Sequence, residues 1–223
     1  MPNNNNNKSK QTTKSTKSGK QKSGAQGSMN GAQRQVAVAY GGSIRQRAPT
    51  MRSQNGSMVV IHREYVSDIT SAATTAFNAT QLPINPGMST FPWLSTIAKN
   101  FEKYRIKKLT YHFESLVGSI TPGSVMLAID MDAADALPSS KAQLLQSQNA
   151  ARCNVWATCQ TKLPEAAKQL YNRSSALASN QDIKTYDVGN LTVATQGVTP
   201  ASTVVGELWV DYEIELAIPQ ASS

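Results

Sequence analysis

No aspartate or glutamate occurs before Glu64, although the 223-residue chain carries 14 acids in all. Eleven of its 22 basic residues fall in that acid-free stretch: Lys8, Lys10, Lys14, Lys17, Lys20, Lys22, Arg34, Arg45, Arg47, Arg52 and Arg63. The stretch is therefore +11, and the remainder, 11 basic against 14 acidic residues, is −3. A segment that cannot pair its own charges stays extended and seeks a polyanion. A body of net −3 has no bulk attraction for nucleic acid, so nucleic-acid binding falls to the arm.

Other scarcities exclude whole classes. There are two cysteines, Cys153 and Cys159, and two histidines, His62 and His112, too few for the common zinc spacings. If both cysteines lie on one strand they cannot easily meet, which predicts free thiols in a reducing compartment. No apolar run approaches the ~20 residues that cross a bilayer, and no apolar segment of a signal peptide is present. The expectation is a chain made in the cytosol, with no membrane partner. Nucleophile elbow, Walker loop, dinucleotide fingerprint and kinase signature are missing, so no enzyme and no small-molecule substrate is expected.

Residues 1 to about 35 are low in complexity and nearly free of apolar side chains, which predicts disorder in the free arm. Residues 36–57 read as a connector, with arm and connector together spanning 1–57. From 58 to 223 short β-type runs alternate with Pro, Gly and Asn. Strand candidates are Met58–Asp68, Lys103–Val117, Val125–Ile129, Arg152–Cys159, Lys168–Arg173, Tyr186–Thr195 and Val204–Ile218. Phe91–Asn100 fits one or two helical turns. Ser139–Gln148 fits a short helix capped by Ser139 or Ser140, with Leu144 and Leu145 inward. In the last run Leu208, Val210, Tyr212, Ile214 and Leu216 alternate with Glu207, Trp209, Asp211, Glu213 and Glu215. One face is core; the acidic face is assigned to a subunit contact. About eight short strands with few helices predict an all-β antiparallel sandwich.

Two sets of residues carry chemistry. The arm lysines, spaced by polar residues, suit sequence-independent phosphate contact by counterion release, with Arg34, Arg45, Arg47 and Arg52 as further candidates. No aromatic precedes Tyr40, so base stacking contributes little there. The second set is Asp130-x-Asp132-x-x-Asp135. Alternate strand residues point the same way, and three converging carboxylates repel unless a hard cation such as calcium sits among them. The spacing is not that of an EF-hand. A plain acidic loop paired with Lys99 or Lys103 across an interface is the alternative. Trp93, Trp156, Trp209, Tyr111 and Phe113 read as packing residues.

Several stretches together resemble the coat proteins of tombusviruses and sobemoviruses. They are His62-Arg63-Glu64-Tyr65-Val66, Phe91-Pro92-Trp93-Leu94 leading to Ala98–Ile106, Pro122-Gly123-Ser124-Val125 leading to Asp130–Asp135, and Gly206–Leu216. Their order is right and they lie downstream of a basic arm. The resemblance implies an eight-stranded jelly-roll shell domain that self-assembles into a small icosahedral virion, usually of T=3 type, around single-stranded positive-sense RNA. With the sequence stopping after the last strand, it is more similar to sobemovirus and necrovirus coats, which lack a protruding domain. It further implies calcium between subunits at Asp130, Asp132 and Asp135; for ligands from the neighbouring chain, Asp182 and Asp187 are the candidates the sequence offers, with nothing local to distinguish them from surface acids. The competing reading is a non-viral cytosolic nucleic-acid-binding β-sandwich, whose reading surface would be Tyr104–Tyr111 with Arg105, Lys107 and Lys108.

Overall fold

The computed structural model describes residues 46–220, with the side chain of Gln54 left out. In chain order the elements are β1 (Thr50–Gln54), β2 (Ser57–Thr70), β3 (Asn78–Pro83), α1 (Ser95–Ala98), β4 (Phe101–Ser115) and β5 (Ser124–Asp130). There follow α2 (Lys141–Leu145), β6 (Ala151–Asn154), β7 (Cys159–Lys162), β8 (Leu170–Tyr171), a 3₁₀ turn (Ile183–Thr185), β9 (Asn190–Gln196) and β10 (Val204–Pro219). The larger sheet runs β1-β2-β10-β4-β7, with β8 also on β4, and the smaller runs β3-β9-β5-β6. Every pairing is antiparallel. First strands pair with last, β2 with β10 and β3 with β9, which is the jelly-roll connectivity expected from the sequence. The sixth position of the eight-stranded roll, counted from β2, is shared by two short strands, β7 and β8.

The core lies between the sheets. Leu208, Val210, Tyr212, Ile214 and Leu216 of β10 are buried, and they meet Ile106, Leu109, Tyr111 and Phe113 of β4 and Val125, Leu127 and Ile129 of β5. Every residue from Ser124 to Ile129 is buried, because α2 covers the outer face of β5, setting Leu144 against Met126, Ala128 and Ala194. Ser140 caps α2, its side chain accepting the Gln143 N–H. Leu144 faces in as expected; Leu145 does not, being exposed, since one turn of helix turns only one of two consecutive leucines inward.

Three sequence expectations are corrected. β1 lies inside the segment read as connector, because Asn55 (φ 49°) and Gly56 (φ 78°) form a two-residue turn that pairs Gln54 with Ser57. An Asn-Gly pair supplies that left-handed backbone at little steric cost. Arg152–Cys159 is not one strand: β6 pairs with β5 and β7 with β4, so the chain changes sheets between them. The run from Tyr186 pairs only from Asn190, the preceding residues being held by the 3₁₀ turn that Asp182 caps.

One carboxylate is built into the core. Glu64 on β2 is 2% exposed, and its Oε2 accepts the Trp93 N–H at 2.6 Å. Burial pushes this carboxyl above its usual range, opposed chiefly by the hydrogen bond from the Trp93 N–H. A carboxyl raised in the folded state gives stability that is full below its unfolded pKa and is lost as pH rises through the folded one. The stability of Glu64→Gln relative to the parent should therefore improve between about pH 4 and about pH 8 in urea titrations. Glu64→Ala, which strands the Trp93 N–H, should cost about 1–3 kcal/mol at either pH.

Candidate functional site

The acidic turn grows out of the end of β5. Asp130 is the last strand residue, opposite Asn190 of β9. Its Oδ1 accepts the Asp132 N–H at 3.0 Å, and Asp132 Oδ1 accepts the Ala134 N–H at 2.9 Å. Two successive side-chain turns of this kind coil the loop, and Asp135 N–H closes it on the Asp132 carbonyl at 3.2 Å. Asn190 Nδ2 donates to the Ala133 carbonyl from below. Gly189 is required here, since a Cβ would lie 1.9 Å from the Asp130 carbonyl oxygen.

The turn brings the three acids together electrostatically. The charges on Asp130 and Asp132 hold the Asp135 carboxyl above its usual range. Asp132 is held below it, chiefly by Lys184, whose Nζ lies 2.7 Å away. Within the chain, the lysine that answers the turn is Lys184. Lys103 instead lies over the Tyr171 ring. Among the described residues no three His, Cys, Asp or Glu side chains enclose a metal by themselves.

The two acids named as neighbour ligands separate. Asp182 is exposed and caps the 3₁₀ turn. Asp187 has a side chain that is 0% exposed and is held by Arg173 through Nε at 2.7 Å and through Nη2, with Asn85 donating to its Oδ1. In this chain it is an internal anchor, its carboxylate buried and committed to Arg173 and Asn85. Among the arm and connector residues, Lys8, Lys10, Lys14, Lys17, Lys20, Lys22, Arg34 and Arg45 lie outside the described residues. Arg52 is exposed on β1. Arg47 lines a groove of about 700 Å³ on the outer face of the larger sheet, with His62, Arg63, Lys108, Asp211 and Glu213.

That same face receives the acidic row of β10. Arg63 of β2 reaches Glu114 at 3.0 Å and Asp211 at 3.6 Å; Lys107 reaches Glu215 at 3.2 Å and Lys108 reaches Glu213 at 3.1 Å. His112 Nε2 lies 2.9 Å from Asp211. Asp211, Glu213 and Glu215 of this row meet bases of the same chain because β10 lies between two strands that carry them, while Glu207 accepts the Trp209 indole N–H. A register shift opposite Glu213 and Ile214 lets the consecutive Lys107 and Lys108 both serve this face. The signal was in the sequence: inward Ile106 and Leu109 are three apart, which breaks the strand period of two. Tyr104 and Tyr111 are wholly buried, which removes the stacking surface that the nucleic-acid-reader alternative needs.

A family model described as viral coat protein (S domain) matches residues 33–222. The chain belongs to that family. The S domain is similar to the capsid protein of tomato bushy stunt virus (strain BS-3), 29% identical over 174 residues, covering 76% of this chain and 44% of that protein. The chain spans half or less of the length of the curated relatives it matches. Among solved structures, Cucumber Leaf Spot Virus is 26% identical over 84% of this chain and 59% of that one, with TM-score 0.75. Tobacco necrosis virus, 21% identical over 80% and 90%, with TM-score 0.71, supports the fold alone.

For this coat domain the buried Asp187 predicts a specific cost. Arg173→Ala should lose about 3–5 kcal/mol in urea unfolding, because the carboxylate is left buried and unpaired. Asp182→Ala, removing only an exposed cap, should lose about 1 kcal/mol.

Proposed function

We propose that the chain is the subunit of a small icosahedral virus shell, built from many copies of itself around single-stranded RNA, and that the acid-free arm holds that RNA. Membership of the viral coat S-domain family carries the reading, and the charge division at Glu64 supports it. The relatives are capsid proteins. The protein then resides in the virion after synthesis in the host cytoplasm, and T=3 is the proposed geometry. The arm works as a polycation whose lysines and arginines neutralise phosphates and so release the counterions condensed on the RNA. Arg47 and Arg52 stand where the connector meets the larger sheet, so phosphates led along the arm would meet that face first.

The acidic turn fits a divalent cation between subunits. Lys184 answers the Asp132 carboxylate, and the charges on Asp130 and Asp132 still hold the Asp135 carboxyl above its usual range. All three offer hard oxygen donors, the chemistry that calcium takes. Calcium, when bound, would supply the positive charge this turn lacks; Asp130 and Asp135 would hold it, with Asp132 and a neighbour's Asp182 completing the shell of ligands. The protein's own part is to hold the acids close on the Asx-turn scaffold. Once Asp135 is ionised the three carboxylates repel one another, so the joint weakens when the cation is withdrawn.

Two experiments test these two parts separately. The affinity for single-stranded RNA should fall with salt at a log–log slope of about −4 to −7, for about six to ten phosphate contacts. Deleting residues 1–45 should abolish it, and a flat salt dependence would count against the arm. Particles treated with EDTA at mildly alkaline pH should swell and admit nuclease, and Asp135→Asn should blunt the difference between chelator and calcium. Equal size and nuclease resistance in chelator and calcium would remove the cation from the proposal while leaving the shell intact.

A further inference from the structure

The sheet change between β6 and β7 creates a feature that neither RNA binding nor shell formation uses. Cys153 lies on β6 opposite Val125 of the smaller sheet, and Cys159 lies on β7 opposite Phe113 of the larger one. The five residues between them carry the chain across the edge of the sandwich. Val155, fully buried, donates its N–H to the Gly123 carbonyl, and Ala157 closes a turn on the Asn154 carbonyl. This corner folds the two cysteines back on each other. Their sulfurs stand 2.7 Å apart, although both are free thiols. The sequence expectation that they could not meet assumed one strand; two strands in two sheets place them face to face.

The neighbourhood is suited to chemistry between the two sulfurs. Both residues are half-buried, packed against the core without being sealed in it. A disulfide needs an S–S separation of about 2.05 Å, so closure asks for less than about 1 Å of movement. No third thiol, imidazole or carboxylate joins them in a metal-binding group among the described residues. The Cys159 hydrogen bond lowers the Cys153 thiol, against burial and with help from Arg152, while the same bond and burial push Cys159 up. With the Arg152 cation next to it in the chain, Cys153 is taken as the attacking thiol and Cys159 as the resolving one.

We propose that Cys153 and Cys159 form an oxidisable pair that closes into an intrachain disulfide on meeting a low-molecular-weight disulfide, fastening the edge of one sheet to the edge of the other. With oxidised glutathione, the Cys153 thiolate attacks one sulfur, forms a mixed disulfide and releases one glutathione thiolate, which takes up a proton. Cys159 gives its proton to solvent and attacks the Cys153 sulfur, and the second glutathione leaves as a thiolate and is protonated. Two protein thiols are oxidised and one small disulfide is reduced to two thiols. In a reducing compartment the pair stays open; in an oxidising one the bridge forms at a site the fold has already assembled.

The test is an equilibrium on the full chain, independent of whether shells form. The protein is equilibrated in graded mixtures of reduced and oxidised glutathione, folded and in denaturing urea, starting from both the reduced and the bridged forms. Samples are quenched with acid, alkylated and weighed. The effective concentration of the pair should be at least about tenfold higher in the folded chain than in urea, because the fold holds the thiols together. Peptide mapping should join Cys153 to Cys159, with a mass lower by two hydrogens, and Cys159→Ser should leave Cys153 free or as a glutathione adduct. An effective concentration no higher in the folded chain, or oxidation that yields glutathione adducts alone in the parent, overturns the proposal.

Discussion

The larger sheet depends on β10 being paired along both edges at once. From Gly206 to Leu216 it bonds to β2 on one side and to β4 on the other. Its inward side chains supply one wall of the core, and its outward acids meet bases carried by both neighbours. Each half-exposed ion pair is worth only about 0.2–1 kcal/mol, so the burial of the inner row is the larger contribution. The outer row has another consequence. Pairing Glu213 with Lys108 and Glu215 with Lys107 penalises a register slip, which would bring like charges together on one face and apolar groups to solvent on the other.

Much of this was legible because strand alternation is a local signal. β10 and β4 are long, with near-regular patterns, and their ends fall close to where the pattern ends. The short helix α2 was legible through its serine cap. The misses share a cause. Arg152–Cys159 has no internal breaker, and the sheet change at Asn154 is imposed by Val155 entering the core and bonding to Gly123, a contact distant in sequence. Asn55-Gly56, by contrast, is a strong hairpin signal that a search for strands beginning at residue 58 passes over.

At the acidic turn the composition was legible and the partners were not. Three aspartates at that spacing announce a charged turn, but only the fold reveals that Lys184 answers Asp132. Asp182 and Asp187, five residues apart and alike as letters, part company because one caps an exposed turn and the other faces Arg173 under the surface. Charge neutralisation proves to be organised by region. On the outer face of the larger sheet Arg63, Lys107 and Lys108 meet acids of β4 and β10, the turn after β5 keeps more acids than bases, and the stretch before Glu64 holds no acid at all.

The position of β10 also sets an order on synthesis. Met58 pairs with Leu216 and Thr70 with Val204, so β2 has no neighbour on its β10 side until nearly the whole domain has been translated. Contacts this distant in sequence are slow to form, since the loop must be closed before it is rewarded. The acid-free stretch leaves the ribosome long before. The larger sheet is completed last, after every other strand of the domain has been made, through topology alone.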